Sequence, residues 1–358
     1  MKKLLTPLLI IILALGTSIT AYAAGAGIEW KSLSDEAYSL YKQGLYDRGI
    51  VIGKKALLIA ELTVGPDHTD TAISLNDLAV VYKIQGRYAE AEPLFKRALA
   101  IREKKLGPNH SDTAMSLNDL ALLYVDQGRY TEAETLYRRV LTIMEKSLGQ
   151  DHPDTAAILS NLAGIYKNQD HYEEAETLYK RALAIKEKNL RSDSPKLAVT
   201  LESLANLYNA QGKFEQAELL YKRALVIYEK ALGPDHIEVA TTLNNLARLY
   251  TVKGKYAEAE PLYLRAFMIY GKAKGQNLPI AATTLNNLAY LYKVQGKYTE
   301  AEPLYKRSLA IYEKTLGPNH PDVATSLENL AGLYRKSYRS KEAEALEARA
   351  ATIRANLR

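Results

Sequence analysis

Seven Leu-Ala pairs recur at a constant spacing of 42 residues, and this spacing constrains the fold more than any other feature of the chain. They are Leu78-Ala79, Leu120-Ala121, Leu162-Ala163, Leu204-Ala205, Leu246-Ala247, Leu288-Ala289 and Leu330-Ala331. A fixed period of this length indicates a repeat array, in which each unit packs on its neighbours instead of forming its own core. The 358 residues are therefore predicted to form one array rather than two or three globular domains.

Each unit contains two helical periods separated by a turn. From Leu75 to Tyr82 the apolar residues follow the i, i+3, i+4, i+7 spacing of one helical face, and from Ala91 to Arg102 the same spacing recurs. Gly86 lies between them and suits the left-handed residue that ends a helix, whereas Asp170 takes this position in one unit. Neither helix buries its apolar face alone, so stacked helix pairs must share a continuous core.

The linkers between units carry their own repeated residues. In the linker after Leu148, Asp151 is predicted to cap the next helix. His68, His110, His152, His236 and His320 occupy one linker position in successive units, and we interpret them as residues of the first helical turn. A row of histidines 42 residues or more apart does not converge on one point as metal ligands must, so no metal site is predicted.

The ends depart from the pattern, as terminal repeats usually do. Upstream, the turn residues match in register but the first helix lacks the Leu-Ala pair; downstream, Tyr338 replaces the turn glycine. We predict a degenerate N-terminal repeat at 24–68, seven 42-residue units at 69–352 with the last altered as a cap, and a tail at 353–358.

The N-terminus has the three parts of a secretory signal peptide. Lys2 and Lys3 form a positive segment, an apolar run follows from Leu4 to Leu15, and Ala21-Tyr22-Ala23 is a small-residue cleavage pattern. We therefore expect residues 1–23 to be removed and the protein to be periplasmic or secreted. An uncleaved membrane anchor is the alternative, because the segment from Leu4 to Ala26 carries no charge.

The composition and the absence of known catalytic motifs exclude several classes of function. The chain has no cysteine and a formal net charge of +6, so disulfides and cysteine nucleophiles are excluded and the charge gives no indication of nucleic-acid binding. No phosphate-binding loop, zinc-hydrolase motif, nucleophile elbow or calcium loop occurs. We expect no enzymatic activity and no cofactor.

The units resemble tetratricopeptide repeats. Leu75, Leu78, Ala79 and Tyr82 match first-helix positions of that family, and the 42-residue period with its LNNLA and EAEPLYKRSL segments is similar to repeats of the kinesin-light-chain type. The resemblance covers residues 36 to 352. It implies an all-α fold, a right-handed α-solenoid of tandem helix-turn-helix units, whose first helices line a concave groove that holds an extended peptide.

The family positions that line the groove are polar in this chain. Those carried over are Asn76, Asn118, Asn161, Asn244, Asn245, Asn286, Asn287 and Asn329, together with Lys83, Lys167, Arg248, Lys293 and Arg335. An asparagine amide offers both a donor and an acceptor to a peptide backbone, so a ladder of them is a candidate binding surface. The alternative is that these asparagines only bridge adjacent repeats.

The charges along the same positions change sign along the chain. In the N-terminal units Asp77, Asp119 and Asp126 outweigh Lys83, whereas in the last three units Arg248, Lys293, Arg335 and Lys336 outweigh Glu328; Lys167 and Glu202 cancel between them. We hypothesise that the C-terminal half prefers an acidic segment and the N-terminal half a basic or neutral one; ordinary solvated charge is the alternative.

These observations predict a non-enzymatic scaffold or adaptor that binds a protein or peptide partner, with an extended segment in the groove. The alternative is a structural assembly factor of an envelope complex that docks by its convex face or its ends. Substitution of the groove asparagines distinguishes the two, because it should abolish the first role and leave the second intact.

The signal peptide is directly testable. The chain recovered from the producing cell should begin at Ala24, as read from its intact mass. Ala23→Leu should block processing, because the cleavage site requires small residues, and should leave the longer chain with the membrane. Recovery of the unprocessed chain from the wild-type gene would show that residues 1–23 act as an anchor.

Overall fold

All secondary structure in the described part of the chain, residues 29–272 and 278–356 of a computed structural model, is helical. In chain order the helices are α1 (29–42), α2 (Tyr46–Thr63), α3 (Thr69–Ile84), α4 (Tyr88–Leu106), α5 (Ser111–Asp126), α6 (Tyr130–Ser147), α7 (Pro153–Asn168), α8 (Tyr172–Asn189), α9 (Pro195–Ala210), α10 (Phe214–Leu232), α11 (Ile237–Val252), α12 (Tyr256–Lys272), α13 (Leu278–Val294), α14 (Tyr298–Leu316), α15 (Pro321–Lys336) and α16 (Ser340–Ala355). The predicted all-α class of tandem helix-turn-helix units is confirmed. The signal-peptide segment lies outside the described residues.

The chain divides into two compact parts, Met1–Leu178 and Tyr179–Arg358, and their boundary falls inside α8. We call them the N-terminal unit and the C-terminal unit; each contains several of the 42-residue repeats. Consecutive helices pack on one another from α2 to α7 in the N-terminal unit and from α9 to α16 in the C-terminal unit. Odd-numbered helices from α3 onward are the first helices of the pairs, and even-numbered helices from α4 onward are the second helices. No helix in the described part of the chain combines the length and the apolar character needed to cross a membrane.

The turn inside each pair forms as the glycine spacing predicts. Gly86 adopts φ 72°, and the next amide, Arg87 N, donates to Tyr82 O at 2.9 Å, which closes the end of α3 with a left-handed residue. Asp170 and Tyr338 hold the same conformation, with φ 62° and 60°. A side chain in this region is strained, so these two turns form less readily than the glycine turns.

The core of each pair is built from small and aromatic residues at fixed registers. Ala79 and Ala91 are completely buried, which lets the two helix axes approach closely. Beside them the second helices place one ring per unit, at a register that we call the aromatic slot: Phe95, Tyr137, Tyr179, Tyr221, Tyr263 and Tyr305, each at most 4% exposed. The tyrosine abundance of the sequence, 26 residues, is in part a consequence of this slot.

Ion pairs connect consecutive second helices at a constant sequence offset. In the N-terminal unit Arg97 pairs with Glu61, and Arg139 with Glu103, both at 2.6 Å. In the C-terminal unit the pairs are Arg223–Glu187, Arg265–Glu229 and Arg349–Glu313, at 2.6 to 2.7 Å. Each of these arginines thus pairs with a glutamate 36 residues earlier in the chain. Because the pairs lie at the surface, each contributes about 1 kcal/mol or less to the free energy of unfolding.

The recurring linker histidines cap the first helices. His152 occupies the N-cap of α7, and its Nδ1 accepts a hydrogen bond from the backbone N–H of Asp154 at 3.2 Å. His68, His110, His236 and His320 make the same bond at 3.1 to 3.3 Å. The prediction that Asp151 caps α7 is therefore wrong: the cap lies one residue later, because the imidazole reaches the free amides that a helix start presents.

The terminal helices differ from the predicted boundaries. At the N-terminal end, α1 is tied to the first full pair by Trp30 Nε1, which donates to Ser74 Oγ at 2.6 Å. At the C-terminal end, α16 continues to Ala355, beyond the predicted end of the array at 352. Ile353 is only 3% exposed, so the start of the predicted tail is part of the core.

The capping role of the histidines predicts a specific loss of stability. His320→Ala removes the acceptor at the start of α15 and should lower the free energy of unfolding by about 1 kcal/mol. His320→Asp should keep most of the stability, because aspartate is among the preferred N-cap residues. Urea unfolding followed by circular dichroism measures both, and equal losses in the two variants would show that the histidine acts by packing instead.

Candidate functional site

The polar positions of the first helices form the surface that the sequence assigned to ligand binding. We call the set that begins with Asn76, Asp77 and Lys83 on α3, and recurs on each later first helix, the first-helix row. These side chains lie between the buried Leu-Ala stripe and solvent, and most of them are half-buried. Their hydrogen bonds and ion pairs determine which of them can contact a partner.

The asparagines of the row bridge neighbouring helices. In the C-terminal unit Asn287 Nδ2 donates to Asn244 Oδ1, and Asn329 Nδ2 donates to Asn286 Oδ1, both at 3.1 Å. Asn245 Nδ2 donates to Glu202 Oε1 at 2.8 Å. This geometry favours the bridging alternative, because one amide donor of each of these residues already joins two repeats. The remaining donor and acceptor positions of each amide are not used in these contacts.

The N-terminal unit shows the same bridge with an acidic acceptor. Asn76 Nδ2 donates to Asp119 Oδ2 at 2.9 Å, and Asn118 Nδ2 lies 3.4 Å from Asp119 Oδ1. Asn161 is exposed on α7 and faces the Tyr137 hydroxyl. Lys167, near the end of the same helix, is half-buried.

Ion pairs neutralise several charges that the sequence analysis counted as open. Lys83 Nζ lies 3.0 Å from Asp126 Oδ2. Arg335 Nη2 lies 2.6 Å from Glu347 Oε2, and Glu328 Oε2 lies 3.1 Å from Arg354 Nη2. The last two partners belong to α16, the helix that departs most from the repeat, so the repeat pattern gave no sign of them. The count of four cations against Glu328 in the last units is corrected accordingly.

Three cations of the row keep their charge unpaired. Within residues 179–272 and 278–356, Arg248, Lys293 and Lys336 make no ion pair with a carboxylate. Lys293 is half-buried; burial lowers its pKa, and the neighbouring charge of Lys336 lowers it further. Its Nζ lies 5.1 Å from the centroid of the Tyr290 ring. Like charges held near each other without a counter-ion create a local positive potential.

Glu202 is the second unusual charge of the row. The residue is only 9% exposed, and its carboxylate accepts a hydrogen bond from Asn245 Nδ2, while the nearby Thr242 hydroxyl donates to Glu238 O. Burial raises the pKa of this carboxyl to about 7, although the Asn245 bond opposes the shift, and Glu238 adds to it. From the sequence, Glu202 was expected only to offset the charge of Lys167. Its occurrence at a register where most other units carry asparagine was the available signal.

No group of three or more histidine or acidic side chains in the described ranges is arranged to hold a metal ion. The five capping histidines stand at the starts of different helices, with Nδ1 already engaged by a backbone amide.

Comparison with protein families identifies the repeat. The tetratricopeptide repeat model matches residues 31–104, 75–146, 112–188, 193–272 and 280–356, and a second tetratricopeptide repeat model matches residues 244–315. The chain belongs to the tetratricopeptide repeat family. No curated protein matches its sequence.

Solved structures place this tetratricopeptide repeat protein near the kinesin-light-chain type. A putative kinesin light chain from Podosopora anserina with nearly identical TPR-like repeats is 28% identical over 56% of this chain and 94% of its own, with a TM-score of 0.51. BtubC (BKLC) from P. vanneervenii is 26% identical over 65% of this chain and 92% of its own, with a TM-score of 0.54. The apo form of RapI shares the fold at 13% identity, over 80% of this chain and 98% of its own, with a TM-score of 0.62.

The buried carboxyl of this tetratricopeptide repeat array predicts a pH-dependent difference in stability. Glu202 has a folded-state pKa of about 7, above that of an unfolded glutamate. The folded state therefore binds the extra proton, and wild-type stability falls as the pH rises towards 7. Glu202→Gln keeps the acceptor for Asn245 without a charge. The free energy of unfolding of this variant should equal that of the wild type at pH 4.5 and exceed it by on the order of 1–3 kcal/mol at pH 8.

Urea midpoints of the two proteins at both pH values measure this difference. Glu328→Gln is the matched control, since Glu328 is exposed and paired with Arg354, and this change should not stabilise the protein at pH 8. A Glu202→Gln variant that is less stable than the wild type at pH 8 would mean that the carboxylate is ionised and stabilising in the fold.

Proposed function

We propose that this tetratricopeptide repeat protein is a non-enzymatic scaffold that binds an extended, acidic segment of a protein partner along the first-helix row of its C-terminal unit. Arg248, Lys293 and Lys336 are the contacts that select the acidic residues. The observation that carries the proposal is that these three cations lack a carboxylate partner within the described ranges, whereas Lys83, Arg335 and Glu328 of the same row are paired.

The electrostatics of Lys293 give the proposal its physical basis. Its ammonium group loses part of its hydration by burial and lies in the field of Lys336, and both effects are relieved when an anion binds beside it. A carboxylate that bridges the two lysines gains charge-assisted hydrogen bonds, which are stronger than neutral ones. Complementary charge of this kind mainly increases the association rate and fixes the orientation of the partner.

The asparagine bridges have a supporting role in this proposal. Because Asn244, Asn286 and their partners hold adjacent first helices in register, they preserve the spacing of the cations. The donor and acceptor positions that these bonds leave unused bind the backbone of the bound segment in this proposal. The N-terminal row, where Asp126 neutralises Lys83 and Asp77 remains acidic, accepts a neutral or basic segment in the same proposal.

The proposal places the protein in the periplasm or outside the cell, on the basis of residues 1–23. Three features of the sequence support export: the positive segment, the apolar run and the cleavage pattern. The partner is then another exported protein or the exposed segment of an envelope protein.

Charge reversal of the three cations tests the proposal directly. Arg248→Glu, Lys293→Glu and Lys336→Glu combined should weaken binding of a labelled peptide that alternates glutamate with small neutral residues by at least about tenfold at low salt, since each lost ionic contact to a desolvated partner is worth more than about 1 kcal/mol. Fluorescence anisotropy measures the affinity. The same peptide with lysine in place of glutamate should bind the wild type weakly.

A matched variant controls for net charge. Lys255→Glu, Lys297→Glu and Lys314→Glu make the same change in charge at two turns and on a second helix, and should leave binding close to that of the wild type. Equal binding of the acidic and basic peptides to the wild type would refute the proposal. Capture of the same cellular partners by both variants would instead favour an assembly factor that docks by another face.

A further inference from the structure

The aromatic slot is empty in the first repeat. The second helices α4, α6, α8, α10, α12 and α14 each bury one ring at this register, from Phe95 to Tyr305. In α2 the same register is Gly53, 42 residues before Phe95, and the position one turn earlier is Gly49 instead of the alanine of later units. Glycine is unfavourable in a helix interior. Two glycines on one face of α2 therefore suggest that the space left by the absent side chains has a function.

A cavity occupies the place of the missing ring. Its volume is about 120 Å³, and its walls include Gly49, Gly53, Tyr38, Tyr41 and Leu78. An apolar protein cavity on the order of 150 Å³ admits a benzene molecule, so the space suits one aromatic ring. The side chain of Tyr38 is 60% exposed, which places this wall of the cavity at the protein surface.

Two polar groups of the cavity lack partners. Ser34 Oγ is buried and makes no hydrogen bond with any described residue. Asp77 is exposed beside the same cavity, and its carboxylate also has no hydrogen bond within residues 29–272 and 278–356. Arg102 is the cation that acts on the Asp77 carboxyl. Its guanidinium, however, donates a hydrogen bond to Ser116 Oγ at 2.7 Å and none to Asp77.

The later units show what a ring in this slot does with its hydroxyl. Tyr221 Oη donates to Asn206 Oδ1 at 2.6 Å, and Tyr263 Oη accepts from Thr251 Oγ1 at 3.4 Å, so each of these hydroxyls bonds to a polar side chain of the paired first helix. The hydroxyls of Tyr137 and Tyr305 are buried without a hydrogen-bond partner among the described residues. At the empty slot the Ser34 hydroxyl and the Asp77 carboxylate line the cavity, so a phenol there has an unused carboxylate acceptor within the site.

We infer that this cavity is a binding site for a phenol, supplied as a tyrosine side chain by a protein partner. The ring takes the place that Gly53 leaves empty, and its O–H donates to Asp77. The carboxylate discriminates the ligand: it accepts a hydrogen bond from a phenol, has no such bond with a phenylalanine ring, and repels the phosphate of a phosphotyrosine. The site belongs to the N-terminal unit and is independent of the cations proposed to bind acidic segments.

The probe for this site is p-cresol, the side chain of tyrosine, with toluene as the ring that lacks the hydroxyl. Titration of the purified chain, followed by the chemical shifts of the Tyr38 and Tyr41 rings, should show p-cresol binding about tenfold tighter than toluene, the factor expected for a hydrogen bond to a charged group. Gly53→Tyr fills the slot from within and should abolish binding of both probes while raising the melting temperature.

Two variants separate the site from general effects. Val51→Tyr adds the same ring at an exposed position of α2 and should leave p-cresol binding unchanged. Asp77→Leu should weaken p-cresol about tenfold without weakening toluene, and it keeps the test valid even if Gly53→Tyr does not fold. Equal affinities for the two probes, unaffected by Asp77→Leu, would show an apolar void and overturn the proposal.

The chain itself contains a second possible occupant, since Ile28 directly precedes α1 and belongs to the mature chain predicted to begin at Ala24. If p-cresol binds Ile28→Ala but not the wild type, the cavity is filled by the chain's own upstream segment and the assignment to a partner is wrong. Binding of p-cresol to the wild type and the Ile28→Ala variant with equal affinity supports the assignment.

Discussion

The close approach of paired helices over buried alanines is the contact on which the rest of the array depends. Ala79 and Ala91 are completely buried, and their equivalents in the later units are at most 1% exposed. A larger side chain at either register would push the helices apart and leave the neighbouring aromatic ring without its contacts. Loss of a buried aromatic ring from a core costs about 3–5 kcal/mol. The regular positions of the turns, the ion pairs and the first-helix row all follow from this spacing.

Much of the architecture could be predicted from the sequence because it depends on local rules that repeat. The 3.6-residue periodicity, the left-handed turn residue and the 42-residue spacing each act within one unit, and the structure has them as predicted. The histidine caps were misassigned because aspartate is the commoner cap and it precedes histidine in the linker of α7. Only the backbone path shows that His152 reaches the free amide.

The candidate site was less predictable, because its charges depend on contacts between units of the repeat. Arg335 and Glu328 have their partners on α16, where the sequence no longer follows the pattern. Glu202 is buried, and the amide that bonds to it belongs to Asn245 on the next first helix. The asparagines correctly marked the polar face of the first helices, but a residue type that both donates and accepts cannot show by itself whether it bonds to the next helix or to a ligand.

The arginine–glutamate pairs of the second helices have a consequence for how such an array can change in length. Each arginine of these pairs finds its partner at the same offset of 36 residues, so the bond is defined by the unit and not by its place in the chain. Duplication or loss of one whole 42-residue unit leaves such an arginine opposite a glutamate, and the new junction is made of contacts that already exist elsewhere. Gain or loss of a single residue inside a helix would rotate the arginine by about 100° and disconnect it. The protein therefore tolerates gain or loss of a whole repeat but not of a single residue within a helix. The number of repeats can vary while the contacts between neighbouring repeats stay the same.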